Sequence, residues 1–288
     1  MVKSTLKKMY KLVRENINDN LIITIQYLKI FKKLPNTKNP KSFSEKIHII
    51  KKSNWLEDKS VYVDKYLVRN YIENKIGKEY LIKLYGVYKN VEEIDFNKLP
   101  NKFVLKLNNG SGCNLIVKDK KNLMINETKQ ILNEWLKSNF YMVNREKQYK
   151  NVEQLIICEE YLQDLSGELM DYKFFCLGGK VRVIQVDIGR FSNIKRDFYD
   201  IYWNKLNLKK GVENSDIILE KPEKLEEMIK LSEKLSKDVE LLRVDFYYVN
   251  NKIYFGELTF TPANGMTPFE PKEKDFELAS YINVKKYL

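Results

Sequence analysis

The chain has one histidine in 288 residues. It is His48, inside the helical pattern Ser44-Glu-Lys-Ile-His-Ile-Ile50, where a lone imidazole is structural more often than catalytic. Serine or cysteine nucleophiles that need a histidine base are therefore argued against. Cysteine is also scarce. Cys113, Cys158 and Cys176 show no paired spacing, which excludes a disulfide framework and fits a reducing cytoplasm. Long apolar runs are missing. The longest, Leu21 to Phe31, is interrupted by Thr24, Gln26 and Lys29, so it is too short and too polar to span a bilayer. It lies too deep, and lacks the small-residue cleavage site, for a signal peptide. No zinc-finger spacing, RNA-binding aromatic signature or internal repeat is present.

What is there is a folded, basic chain. Its 19 Tyr and 14 Phe supply core, and its net charge is +12. Half of that charge sits in residues 1–34, which hold eight Lys/Arg and two Asp/Glu. Without a recognition motif this does not make a nucleic-acid binder, and a Lys-, Asn- and Ile-rich composition also follows from an A- and T-rich genome. The basic N-terminal segment reads as a helix packed on the body. Its sharper alternative is peripheral contact with an anionic membrane surface.

Residues 1–34 read as one or two helices. Ser42 and Glu45 have capping-box spacing at the head of the next, and Val61 to Ile76 reads as another, stopped at Gly77. Strands follow at Lys102 to Leu107 and Leu115 to Val117, then a helix at Thr128 to Asn139 and a buried strand at Leu155 to Glu160. Asp171 to Leu177 and Lys180 to Asp187 form a hairpin across Gly178-Gly179. A helix begins at Pro222. Three regions result: a helical lead, 1–85, and two α+β units, 86–160 and 161–288.

The richest stretch is Leu242 to Pro262, read as a second hairpin, two strands with a turn at Asn250-Asn251. Period-two alternation lets Val244, Phe246, Leu258 and Phe260 share an apolar face. Arg243, Asp245, Glu257 and Thr259 then share the other. If Asp245 faces Glu257, the loop must hold an odd number of residues, such as Asn250 to Lys252. A two-residue turn would set Asp245 against Gly256. Two carboxylates on adjacent strands repel unless a cation lies between them, which points to Mg²⁺ and so to phosphate.

Lys106 sits in an apolar strand just before Asn109, Gly110, Ser111 and Gly112, a loop that can fold over phosphates, although such turns also simply join strands. No Gly-Lys-Ser/Thr follows, so it is not a P-loop. Glu159 and Glu160 end a strand, where a carboxylate can accept ribose hydroxyls or pair with a surface lysine. Lys173 is a second strand lysine. Asp187, Arg190, Arg196 and Asp197 contact substrate or each other.

In this order the residues resemble an ATP-grasp enzyme, an α+β fold in which two subdomains clasp ATP. Phe103 to Gly112 resembles the lysine strand and flap. Cys158-Glu-Glu-Tyr-Leu162 resembles the hinge for adenine and ribose, which brings in Tyr161 and Leu162. Arg243-Val-Asp245 with Glu257-Leu-Thr259 resembles the metal strands. The TupA-like (teichuronopeptide) ATP-grasp family is the closer likeness, through Pro40 to Lys46, Asp64-Lys65, Leu99 to Lys106, Asp171 to Phe174, Phe198 to Asp200 and the block ending Pro262-Ala-Asn-Gly265. It covers about residues 35–280. One departure is Thr259, where the wider superfamily has Asn; metal binding then falls mainly on Asp245 and Glu257.

The resemblance implies ATP and Mg²⁺ as cofactors. It implies amide formation between a carboxylate acceptor, small-molecule or polysaccharide, and an amine, in surface-polysaccharide or teichuronopeptide synthesis. Lys106 and Lys173 would hold phosphates, and Arg243 would stabilise the developing oxyanion. A glycosyltransferase ranks second, since no sugar-nucleotide motif appears, and a sugar kinase third.

Overall fold

The computed structural model describes residues 17–163, 169–189 and 193–288. Any helix in residues 1–16, and Arg190, lie outside the described residues. Capping chemistry sets out the helical lead. Helix α1 (Asp19–Phe31) starts where the Asn18 side chain accepts from the Asn20 N–H at 2.8 Å. Helix α2 (Phe43–Lys52) carries the expected capping box of Ser42 and Glu45. The single helix expected over Val61 to Ile76 is broken in two, α3 (Ser60–Val63) and α4 (Val68–Lys75). The cause is Asp64. Its carboxylate accepts from the N–H groups of Tyr66 and Leu67 at 2.7 and 3.0 Å, a local turn that competes with the helix.

Two antiparallel sheets follow. The first has the order β1-β4-β2-β3, with β1 Leu84–Tyr88, β2 Phe103–Leu107, β3 Asn114–Val117 and β4 Ile156–Glu160. Strand β1 had no reading in the sequence; all five of its residues are only half-buried, and Gly86 interrupts the pattern. Phe103, Leu105 and Leu107 pack with Leu132 of α5 (Ile125–Leu136), while Val104 and Lys106 turn to the other face. Helix α5 starts three residues before the expected Thr128. A short α6 (Phe140–Asn144) precedes β4.

The second sheet has the order β7-β6-β5-β8-β9. Strands β5 (Asp171–Leu177) and β6 (Lys180–Ile188) form the expected hairpin, and β7 is Lys195–Tyr199. Helix α7 (Leu225–Leu235) starts three residues after Pro222. Strands β8 (Leu241–Val249) and β9 (Lys252–Thr259) form the second hairpin, and helix α8 is Lys272–Ser280. One face of this sheet is buried under the helical lead. Phe43, Ile47, Leu56, Val63 and Ile72 join Phe174, Val244, Phe246 and Leu258 in one core. Asp275 of α8 caps α2 by accepting from the Phe43 N–H at 2.9 Å. Among the described residues, no helix is long and apolar enough to cross a membrane.

His48 is buried against the Tyr27 ring, centroids 5.4 Å apart, and neither ring nitrogen has a hydrogen-bond partner. Burial, then the nearby Lys52 and Lys51, push its pKa down to about 4. The unfolded imidazole titrates near 6.5. Between those values the unfolded state binds the extra proton, so stability falls as pH drops from about 6.5 towards 4. We predict that His48→Leu flattens this part of the stability–pH curve, measured by denaturant unfolding. The lone imidazole resonance in the NMR spectrum should titrate near 4; titration near 6.5 would contradict the buried placement.

Candidate active site

The polar faces of both sheets meet at a cleft of about 300 Å³. From the first sheet, Lys106 Nζ donates to Glu159 Oε2 at 2.7 Å. Arg69, from the helical lead, donates to the other oxygen of Glu159 at 3.2 Å and to the Ile82 carbonyl at 2.7 Å. The glycine loop is tied at its base. Buried Asn108 donates to Asp64 and to the Glu153 carbonyl, and accepts from the Leu155 N–H. Lys65 Nζ donates to the Gly110 carbonyl at 2.9 Å. Burial lowers the pKa of that ammonium. Gly110 has φ +75°, which favours glycine, and a Cβ there would run into the Phe140 ring and have to displace it.

The second sheet supplies a charge network. Arg243 donates from Nε and Nη2 to the two oxygens of Asp245, each at 2.7 Å, and from Nη2 to Glu257 Oε1, also at 2.7 Å. Lys173 Nζ donates to Asp171, and to Asp245 at 3.3 Å, and lies 3.7 Å from Asp187. Burial would lower the Lys173 pKa, but Asp171 and Asp245 reverse that and raise it. Arg196 clamps Asp187 at 2.6 and 3.1 Å. Partial burial opposes the charge on Glu257, yet Arg243 and then Lys65 outweigh it and bring the pKa down to about 2. Asp245 is deeper. Its desolvation exceeds the pull of Arg243 and Lys173 and pushes it up to about 6.

The expected register is reached by an unexpected route. Asp245 does face Glu257, and Val244 faces Leu258. The turn falls at Asn250-Asn251, as read, but it holds two residues, with Val249 opposite Lys252, and not the odd number that this register was expected to need. The parity is corrected inside β9 by a bulge at Gly256, which places two residues of β9 opposite one of β8. A Cβ on Gly256 would lie 3.0 Å from the Asp245 carbonyl oxygen. The repulsion expected between the two carboxylates is also relieved differently, because the Arg243 guanidinium already lies between them.

Lys106, Gly110, Ser111, Gly112, Glu159, Lys173, Arg243, Asp245 and Glu257 all line the cleft. Five expected residues do not. Asn109 is buried below the loop, and Leu162 packs with Ile82 and Val249. Glu160 bonds through its N–H to the Lys83 carbonyl, and Tyr161 stands off the cleft lining. Thr259 donates its hydroxyl to Glu257 Oε1 at 3.1 Å, so it orients a carboxylate. Lys65, Arg69, Asp171, Asp187 and Arg196 line the cleft as well. For Lys65 the signal was Asp64-Lys65, one of the motifs of the family likeness; Arg69 drew no reading.

The donor chemistry suits a hard divalent cation. Asp245 and Glu257 present carboxylate oxygens to one cationic group, and Glu257 keeps 39 % of its side chain exposed toward the cleft.

A family model, TupA-like ATPgrasp, matches residues 45–283. The chain belongs to this family. Its fold is accordingly the α+β ATP-grasp fold, with the lysine strand in the first sheet and the acid pair in the second. Among solved structures, it is similar to the D-alanine–D-alanine ligase from Bacillus anthracis complexed with ATP (18 % identity, TM-score 0.40, covering 72 % of this chain and 56 % of that one). The D-alanine–D-alanine ligase from Helicobacter pylori (18 %, 0.42, 77 % and 62 %) and the L-amino acid ligase from Bacillus licheniformis (13 %, 0.43, 71 % and 44 %) are similar to the same degree. The chain spans less than two thirds of the length of each of these proteins. No curated protein matches.

Gly256→Ala tests the bulge. The added methyl would press on the Asp245 carbonyl and Cβ, so we expect a loss of roughly 1–3 kcal/mol, as for overpacked sites. Denaturant unfolding measures it. An unchanged midpoint would mean that β9 reaches its register without a glycine.

Proposed function

We propose that this TupA-like protein is an ATP-dependent carboxylate–amine ligase. One observation carries the reading: a lysine from each sheet, Lys106 and Lys173, and the acid pair Asp245 and Glu257 face one cleft beneath a glycine loop. A carboxylate oxygen of the acceptor would attack the γ-phosphorus of ATP. The bond to the ADP oxygen breaks, giving an acylphosphate. An amine nitrogen then attacks the acyl carbon, phosphate leaves, the nitrogen loses a proton and an amide remains.

Each group has a task in this scheme. Lys106 and the N–H groups of the glycine loop would meet the phosphates, and Glu159 would accept ribose hydroxyls. Lys173 would bridge phosphate charge to the acids beside it. Asp245 and Glu257 would hold Mg²⁺, with Thr259 fixing the orientation of Glu257. Bound Mg²⁺ would neutralise charge developing during phosphoryl transfer. Arg243 lies beside the same carboxylates and would face the acyl oxyanion. No protein nucleophile is required, in keeping with a buried His48. Family membership supports a uronic-acid carboxylate in surface-polysaccharide or teichuronopeptide synthesis as acceptor, an amino acid as amine, and work on the cytoplasmic side.

ADP release is the direct test. A ligase releases ADP only when acid and amine are both supplied, a kinase needs one acceptor, and a glycosyltransferase ignores ATP. Saturating Mg·ATP should raise the melting temperature by mass action. If Mg·UDP-sugar raises it and Mg·ATP does not, the ligase reading fails.

Lys106→Ala should weaken nucleotide binding by at least about tenfold, the value of one charge-assisted contact, with the circular dichroism spectrum unchanged. Unchanged affinity with lowered stability would make Lys106 a packing residue whose task is to neutralise Glu159.

A further inference from the structure

Helix α1 is amphipathic in an unusual sense, with apolar side chains on two opposite faces. Ile23 and Tyr27 are buried against the body. On the far side Leu21, Ile25 and Leu28 recur at i, i+4 and i+7 and are 54, 41 and 41 % exposed. Lys32 continues that row as the C-cap, with Lys29 and Lys33 beside it, and Leu34 follows at 67 % exposed. The helix is firmly held. Asp19 pairs with Arg145 at 3.3 Å and accepts from the Tyr141 hydroxyl at 2.6 Å, and Gln26 donates to the Val143 carbonyl at 3.0 Å. The outward row is therefore presented by a fixed helix.

We propose that this face of α1 is a docking surface for an anionic lipid bilayer. Charge selects this occupant. An apolar row rimmed by lysines suits the boundary between acyl chains and negative headgroups, with the aliphatic side chains inserted and the ammonium groups among the phosphates. A second copy of the chain on the same face would set the three lysines against their own counterparts. The residues before α1 would do the same, since residues 1–16 carry five Lys/Arg and one acid. Against an anionic surface that same charge adds to the attraction. Docking here leaves the cleft chemistry untouched, so it stands or falls separately from the ligase reading.

Co-sedimentation of the full chain with vesicles tests it. Partition should be strong with equimolar phosphatidylglycerol and phosphatidylcholine, weak with phosphatidylcholine alone, and lost at high salt. Lys29→Gln, Lys32→Gln and Lys33→Gln together should weaken partition on the order of a hundredfold, at about fivefold per lysine near the surface. Leu21→Ser, Ile25→Ser and Leu28→Ser together should weaken it comparably, with unchanged mass by light scattering. Three results would overturn the proposal. One is no partition by the wild-type chain. Another is partition that neither triple variant weakens. The third is a serine variant that loses a dimer, because the row would then be covered by a copy of the chain.

Discussion

A guanidinium lying between two carboxylates on neighbouring strands constrains everything around the cleft. Asp245 is desolvated, and a lone carboxylate there would cost several kcal/mol. Arg243 offsets that cost with three hydrogen bonds of 2.7 Å to Asp245 and Glu257. The pattern repeats outward. Lys173 is set among Asp171, Asp245 and Asp187, and Asp187 is clamped in turn by Arg196. On the facing sheet, Lys106 and Arg69 share Glu159. Positive and negative groups thus alternate across both walls. A nucleotide with its metal adds both signs at once, so it can exchange partners with this network without leaving a buried charge unpaired.

That constraint explains why the hairpin is irregular. The apolar set of β8 and β9 and their charged set can both be satisfied only if Asp245 opposes Glu257. Alternation made this legible, because period two assigns faces without any knowledge of the turn. It could not say where the odd residue goes. The turn at Asn250 and Asn251, both at positive φ, was legible, but counting residues for the register asked for an extra loop residue, which the chain instead puts at Gly256. A glycine inside an otherwise regular strand pattern is the usual mark of a bulge or a close backbone approach. Gly256 is both, and the signal was in the sequence.

Other parts were hidden for physical reasons. Strand β1 is half-buried throughout, so its residues show no alternation to read. The break between α3 and α4 turned on one side chain, Asp64, whose competition with helical hydrogen bonds outweighs the apolar periodicity around it. Lys65 and Arg69 reach the cleft only because that break redirects the chain. Their role is a tertiary fact that local pattern does not show; Lys65 was singled out only within the motif Asp64-Lys65. By contrast, the lysine strand, the glycine loop and the acid pair were legible, since each places charge inside an apolar strand or beside paired glycines.

The helical lead is consequently part of the cleft as well as of the core. Asp64 bonds Asn108, the Lys65 N–H bonds the Asn108 carbonyl at 2.8 Å, and Lys65 Nζ bonds the Gly110 carbonyl. These contacts decide which polarity the glycine loop can offer. A trans peptide carries its C=O and N–H on opposite sides. Lys65 Nζ, which itself lines the cleft, takes the Gly110 carbonyl, so the loop oxygen on that side is already neutralised and does not repel a phosphate oxygen. A loop of the same sequence without this lysine could turn its carbonyl to the cleft and repel the anion. The lysine of the lead therefore does for the loop what Arg243 does for the acids: it sets a cation against oxygens that would otherwise stand unpaired at the cleft.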